Sequence, residues 1–200
     1  LINIKPNITI LDYQVKLLKE FFPTSTIILV NGYESVKVMN NAPQNIIHIE
    51  NERYNTTNVV RSIGIGLRAS ITNRVMIIYG DLICNKETFN IVLDNESLLF
   101  VDKSNTMTEN EVGCMIVDDI VEHLIYDLPQ KWAQIIYITG KELKIFKDIA
   151  YNPANENWLG FEAINAVIDK GGKFKVASPK NMKANDIDIS KDILIAQGII

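Results

Sequence analysis

The run Val75-Met76-Ile77-Ile78-Tyr79-Gly80-Asp81 constrains this chain more than any other stretch. Its unbroken apolar start has no polar face, so it does not suit a surface strand, and it is too short for a buried helix. A strand apolar on both faces has to be covered on both sides, as parallel strands in α/β sheets are. Gly80-Asp81 closes the run. A carboxylate therefore stands just past the carboxyl end of a buried strand, where open α/β sheets bind ligands. Two readings of it stand side by side. Asp81 is either a hard-oxygen ligand for Mg²⁺, with Gly80 permitting a sharp turn and close ligand approach, or the cap of a following helix.

The rest of the chain supports the same class. Residues 10–22 carry apolar positions at helical spacing, with Thr9 and Asp12 placed as a capping box. A short apolar strand at 26–30 ends at Asn31-Gly32. A helix at 34–40, a strand at 46–49, a helix at 58–70 (despite Gly64 and Gly66), a helix at 86–93 and a strand at 97–101 follow. Segments 112–117, 120–126 and 131–138 read as strands without intervening helices, which marks added antiparallel strands. Helices at 140–148 and 158–170, the latter ending at Gly171-Gly172, precede a strand at 173–177 and a last helix at 190–198. The expected architecture is α/β: a mostly parallel, doubly wound sheet with a late antiparallel insertion. No repeat or Pro/Gly-rich linker divides residues 1–200, so one domain is expected.

Composition then removes several function classes. The chain has 200 residues, 47% hydrophobic and 22% charged, with a net charge of −4. An acidic balance argues against a nucleic-acid binder, which needs a basic face. No apolar run approaches the roughly 20 residues of a membrane-spanning helix. Cys84 and Cys114 form neither a disulfide framework nor zinc spacing, which points to a reducing cytoplasm. The first residue is Leu1 rather than Met, so either the start has been removed or the numbering begins inside a larger protein.

Other residues carry chemistry on paper. Asp186 and Asp188 alternate in a short strand ahead of the last helix, with Ser190 placed as its cap. Asp188 is a possible second metal ligand, or these acids only complement the helix N-terminus. The polar run Asn51 to Asn58 enters the helix at 58–70, with Ser62 on its first turns, and suits either a nucleotide base or sugar or a capping loop. Trp158 and Glu162, at i and i+4, face one cleft if both lie on one helix. His48 and His123 fall in apolar strand patterns and read as structural. Neither cysteine has a neighbour that would activate a thiol, and Walker-type and G-x-S-x-G motifs are absent.

In their order along the chain, these pieces resemble the nucleotidyltransferases that join an NTP to a sugar phosphate or a small phosphorylated alcohol. The choline-phosphate cytidylyltransferases are the nearest-looking branch. The resemblance runs through Leu1 to Ile4, Ile10 to Gln14, Ile27 to Tyr33, then Asn51, Tyr54, Asn58 and Ser62. It continues with Gly80-Asp81, then Trp158, Glu162, Ala163 and Ile164, and closes at Ile187 through Ala196. It implies a GT-A/Rossmann-like fold with Asp81 and Asp188 as the Mg²⁺ pair. It sets Gly32, Tyr33, Asn58, Ser62 and Gly80 beside the nucleotide, and Tyr54, Trp158 and Glu162 on the acceptor side. Two departures stand out: Ile189 replaces the family's Thr, and the opening strand, its G-x-G-x-R loop and the lysine before the leucine are missing. Those elements ordinarily cradle the triphosphate.

The implied reaction is transfer of an NMP group, CTP favoured, to a phosphorylated acceptor with release of pyrophosphate. No nucleic acid or membrane partner is implied, and the oligomeric state is left open. Two alternatives remain: a GT-A-like glycosyltransferase using Asp186-Ile187-Asp188 as its metal motif, and a non-catalytic nucleotide-binding module.

Overall fold

The computed structural model describes residues 2–103 and 111–200. Strands β1 (Asn3–Lys5) and β2 (Ile8–Thr9) form a small antiparallel hairpin that leads into helix α1 (Ile10–Phe21). The Asp12 amide donates to the Thr9 hydroxyl at 3.1 Å, and the Thr9 amide donates to the Asp12 carboxylate at 2.9 Å. Such a cap is worth about 1 kcal/mol. Next come β3 (Ile28–Asn31), α2 (Ser35–Asn41), β4 (Ile47–Glu50), α3 (Val59–Ala69) and β5 (Arg74–Ile78). This is the alternation read from the sequence.

Strand β6 (Leu82–Cys84) follows, then a single 3-10 turn over Lys86–Phe89 where a helix at 86–93 was expected. The β-branched Ile91 and Val92, then Asp94-Asn95, do not propagate a helix. Strand β7 (Leu98–Asp102) precedes β8 (Val112–Val117), β9 (Ile120–Tyr126) and β10 (Lys131–Thr139). The β8–β9 turn is tight: Asp118 and Asp119 both take positive φ, the twist a two-residue hairpin requires. Helices α4 (Gly140–Ala150) and α5 (Gly160–Asp169), strands β11 (Phe174–Ala177) and β12 (Ala184–Asp186), and helix α6 (Ser190–Ile199) complete the chain.

The α/β class holds, and strand direction is where sequence and structure differ. The main sheet runs β5-β10-β7-β11-β9-β8. Its one parallel neighbour pair is β7–β11, and β3–β4 form a separate parallel ladder. The late antiparallel segment is split: β9 and β8 lie at one end of the sheet, and only β10 lies inside it. Its third strand, β10, enters between β5 and β7 and runs antiparallel to both. Apolarity on both faces fixes neither direction nor place: β10 is central and antiparallel, while β5, whose apolar run suggested a parallel strand covered on both sides, ends the sheet among the described residues and runs antiparallel to β10.

Helices α3, α4 and α5 cover one face through Val60, Leu67, Phe146, Ile164 and Val167. The other face packs Leu17 of α1 with Leu82, Phe89, Phe100 and Ile135. Gly64 explains how α3 tolerates glycine: a Cβ there would collide with the Ala150 carbonyl of α4, so the two helices approach closely. Among the described residues β5 pairs only with β10 and β3 only with β4. The apolar residues Val75–Ile78 and Ile28–Val30 on these strands stay half-buried. No helix among the described residues is long and apolar enough to cross a membrane.

Candidate functional site

Beyond the end of β5 the chain turns through Tyr79, Gly80 and Asp81 into β6. Gln14 of α1 pins this turn at both ends, its amide donating to the Tyr79 carbonyl at 2.8 Å and to the Leu82 carbonyl at 2.7 Å. Strand β6 pairs antiparallel with β12, Leu82 opposite Asp186. Just past that ladder the Ile187 amide donates to the Asp81 carbonyl at 3.1 Å. Asp81 and Asp188, far apart in sequence, are thereby brought to one place by backbone pairing.

The two carboxylates sit differently. Asp81 is exposed as a residue, yet desolvation by the surrounding protein raises its pKa. The negative charges of Asp186 and Asp188 push it further, and its own backbone amide offsets part of the rise. The Tyr79 phenol is also pushed up, by burial first and then by Asp81. Asp188 is exposed, and its carboxylate has no partner among the described residues. The Asp188 and Ile189 amides donate to the Asp192 carboxylate at 3.0 and 2.9 Å, so Asp192 caps α6. Ser190, expected as the cap, is instead the first residue of the helix. An acid three residues into a helix reaches back to those free amides, which leaves Ser190 no cap role.

Asp186 does not share a strand face with Asp188, because β12 ends at Asp186. Its Oδ1 accepts from Lys131 at 3.2 Å and its Oδ2 from Gln134 at 3.3 Å. The D-x-D motif is therefore divided into one engaged and one free carboxylate. Gly80 also needs a correction. Its φ is not positive, and a Cβ there would meet nothing within the protein, so the turn itself does not require glycine. Only open space above the backbone remains as its contribution.

On the side of β3 and α3, Tyr33 and Tyr54 are the exposed aromatics, 71% and 44% accessible. Their rings meet edge to face with centroids 6.2 Å apart. Gly32 lies against Tyr54 so closely that a Cβ would overlap its side chain. The polar run 51–58 is folded on itself around buried Asn51. That side chain donates to Thr57 Oγ1 at 3.2 Å and to Ser62 Oγ at 3.1 Å, and accepts the Arg53 amide at 3.1 Å. Asn58 caps α3, accepting the Val59 amide at 2.8 Å, while the Val60 amide donates to the Trp158 carbonyl. The helix start is thus largely satisfied by protein groups, and Ser62 is turned toward Asn51.

Trp158 and Glu162 are not one turn apart on a single helix, as was expected. Helix α5 begins at Gly160, and Glu162 accepts the Leu159 amide at 2.6 Å, fixing the start after Leu159. Trp158 precedes the helix, partly buried against the core. Beside it Arg53 makes a bidentate pair with Glu156, at 2.9 and 2.7 Å, tying loop 51–58 to the segment before α5. Sequence reasoning missed Gln14, Lys131 and Gln134. Gln14 was visible only as a polar residue on an otherwise apolar helix face. Lys131 carried a stronger signal: a lysine opening a run apolar enough to be buried on both faces.

The residues at the carboxylate end fit a magnesium ion in their chemistry. Two hard carboxylates with open surroundings match a metal that takes its remaining ligands from phosphate and water. Among the described residues no three His, Cys, Asp or Glu side chains converge as a metal-holding group.

The fold is a mixed α/β fold shared with solved nucleotidyltransferase structures. The inositol-1-phosphate CTP transferase from T. maritima superposes with a TM-score of 0.75 at 16% identity, over 95% of this chain and 82% of that one. The CTP:phosphocholine cytidylyltransferase of Streptococcus pneumoniae gives 0.75 at 16% identity, over 95% and 84%. HddC from Yersinia pseudotuberculosis gives 0.67 at 17%, over 99% and 91%. No family model matches the sequence, and no curated protein matches it.

Proposed function

We propose that the protein is a nucleotidyltransferase that moves an NMP group from an NTP, CTP favoured, onto a sugar phosphate or a small phosphorylated alcohol such as choline phosphate. The observation that carries this reading is the junction of Asp81 with the segment bearing Asp188 at the end of β5 and β6. An oxygen of the acceptor phosphate attacks the α-phosphorus, the bond from that phosphorus to the oxygen bridging to the β-phosphate breaks, and pyrophosphate leaves with the electron pair. Such chemistry asks the protein for positioning and charge neutralisation rather than covalent participation. Asp81 and Asp188 would hold Mg²⁺, which when bound neutralises charge on the α-phosphate and the departing pyrophosphate. Gly32, Tyr33, Gly80, Asn58 and Ser62 would serve the nucleotide side, Asn58 and Ser62 acting mainly by shaping the loop. Tyr54, Trp158 and Glu162 border the acceptor side.

Both cysteines are buried and unpaired, which favours a cytoplasmic setting. The released product tests the proposal. With CTP, choline phosphate and Mg²⁺ the expected product is pyrophosphate. Release of a nucleoside diphosphate from a nucleotide sugar would establish the glycosyltransferase instead, and CTP binding without turnover would establish a binding module.

A further inference from the structure

Lys131 opens β10 and is only 4% accessible, a rare place for an ammonium group. Its Nζ pairs with the Glu111 carboxylate and with Asp186 Oδ1 at 3.2 Å. Gln134 holds the other oxygen of Asp186 at 3.3 Å. Gln134 reaches it from a left-handed conformation, φ 55°, at an irregularity in the β10–β7 register between Trp132 and Ile136. Irregularities of this kind re-aim side chains. Both oxygens of Asp186 are thus engaged by β10, while the Asp188 carboxylate beyond it has no partner among the described residues.

We propose that Lys131 is a positioning residue that, with Gln134, withdraws Asp186 from the metal donors and leaves a site of two carboxylates, Asp81 and Asp188. This rests on the metal pair of the proposed function and adds to it a reason why the site stays incomplete without nucleotide. Two carboxylates give Mg²⁺ too few protein ligands, so phosphate oxygens must supply the rest and the ion is held well only with the NTP. A third free carboxylate would bind the bare ion and would also repel the acceptor phosphate. The pairing further ties β12, and with it the approach to Asp188, to the central strand β10.

Mn²⁺ titrated into the full chain without nucleotide, followed by electron paramagnetic resonance, reads this out. Lys131→Met frees Asp186 and is expected to tighten Mn²⁺ binding about tenfold, while Lys131→Arg stays near wild type. Adding Asp186→Asn to Lys131→Met is expected to return the affinity to wild type. Asp186→Asn alone is expected to leave it within about twofold, because that carboxylate is not a ligand. Unchanged affinity in folded Lys131→Met, or a tenfold loss in Asp186→Asn, overturns the assignment. If Lys131→Met does not fold, Asp186→Asn alone decides. Asp81→Asn and Asp188→Asn separate the two levels: Mn²⁺ binding indifferent to both removes the metal pair itself, whatever Asp186 does.

Discussion

The carboxylate end of β5 and the loop from Asn51 to Asn58 are both polar, and both looked like ligand sites in sequence. Structurally they are opposites. In the loop, the polar groups that face the protein find one another: Asn51 with Thr57, Ser62 and Arg53, Asn58 with the start of α3, Arg53 with Glu156. At the carboxylate end, Asp81 is desolvated beside two further acids, and Asp188 has no hydrogen-bond partner among the described residues. Polar groups that satisfy one another stabilise a fold. Charges held close without compensation destabilise it, and are retained where a ligand completes them. The comparison predicts that substitutions in the two regions separate activity from stability in opposite senses.

Asp81 should show the largest effect. Asp81→Ala is expected to lower product formation about a thousandfold or more while the protein stays folded. Near-normal turnover by a folded Asp81→Ala would remove the carboxylate from the chemistry. Stability should respond in the other direction. The folded-state pKa of Asp81 is raised. Its contribution to stability is therefore complete below the ordinary carboxylate value and is lost as pH rises through the raised one. Thermal melts of the metal-free protein from about pH 4 to about pH 7 should show Asp81→Asn losing less stability than wild type across that interval. A steeper loss in the variant would reverse the sign and with it the account of Asp81 as a strained charge.

Asn51 is the converse case. Asn51→Ala removes a buried side chain that closes the loop through three hydrogen bonds. It should cost about 2 kcal/mol of stability by denaturant titration. Activity should fall mainly through a higher KM for the nucleotide, since Ser62 and the start of α3 lose their support. A kcat loss as deep as that of Asp81→Ala, at unchanged stability, would make the loop chemical rather than structural.

Legibility in the sequence divides along the same line. The Thr9–Asp12 box, the alternation from β3 to β5 and the position of Asp81 were all readable, because each depends on residues close in the chain. The start of α5 was not: its cap position is Leu159, which has no polar side chain to announce it, so Trp158 was drawn into the helix. The β6–β12 ladder was invisible for another reason. Leu82–Cys84 and Ala184–Asp186 are three residues each, too short for any period, and only their pairing joins Asp81 to the segment of Asp188. The division of labour between Asp186 and Asp188 likewise depends on Lys131, which no local pattern connects to either.

The smallest expected effect tests the join between the two regions. Arg53 and Glu156 form a bidentate pair, but the Arg53 side chain is 55% accessible and that of Glu156 is 20%. Partly exposed pairs contribute little, so Arg53→Gln should cost only about 0.5 kcal/mol. Its effect on substrate handling follows from what the pair connects. Arg53 belongs to the loop that runs into Asn58 on the proposed nucleotide side, and Glu156 to the segment leading to Trp158 on the proposed acceptor side. Loosening the pair lets the nucleotide side and the acceptor side shift against each other while the carboxylates keep their places. The expected result is a modest, parallel rise in KM for both substrates with kcat unchanged, the gap to wild type narrowing at high salt as screening weakens the wild-type pair. A change confined to one substrate would assign Arg53 to that substrate directly, and the two regions would then be coupled by something other than this ion pair.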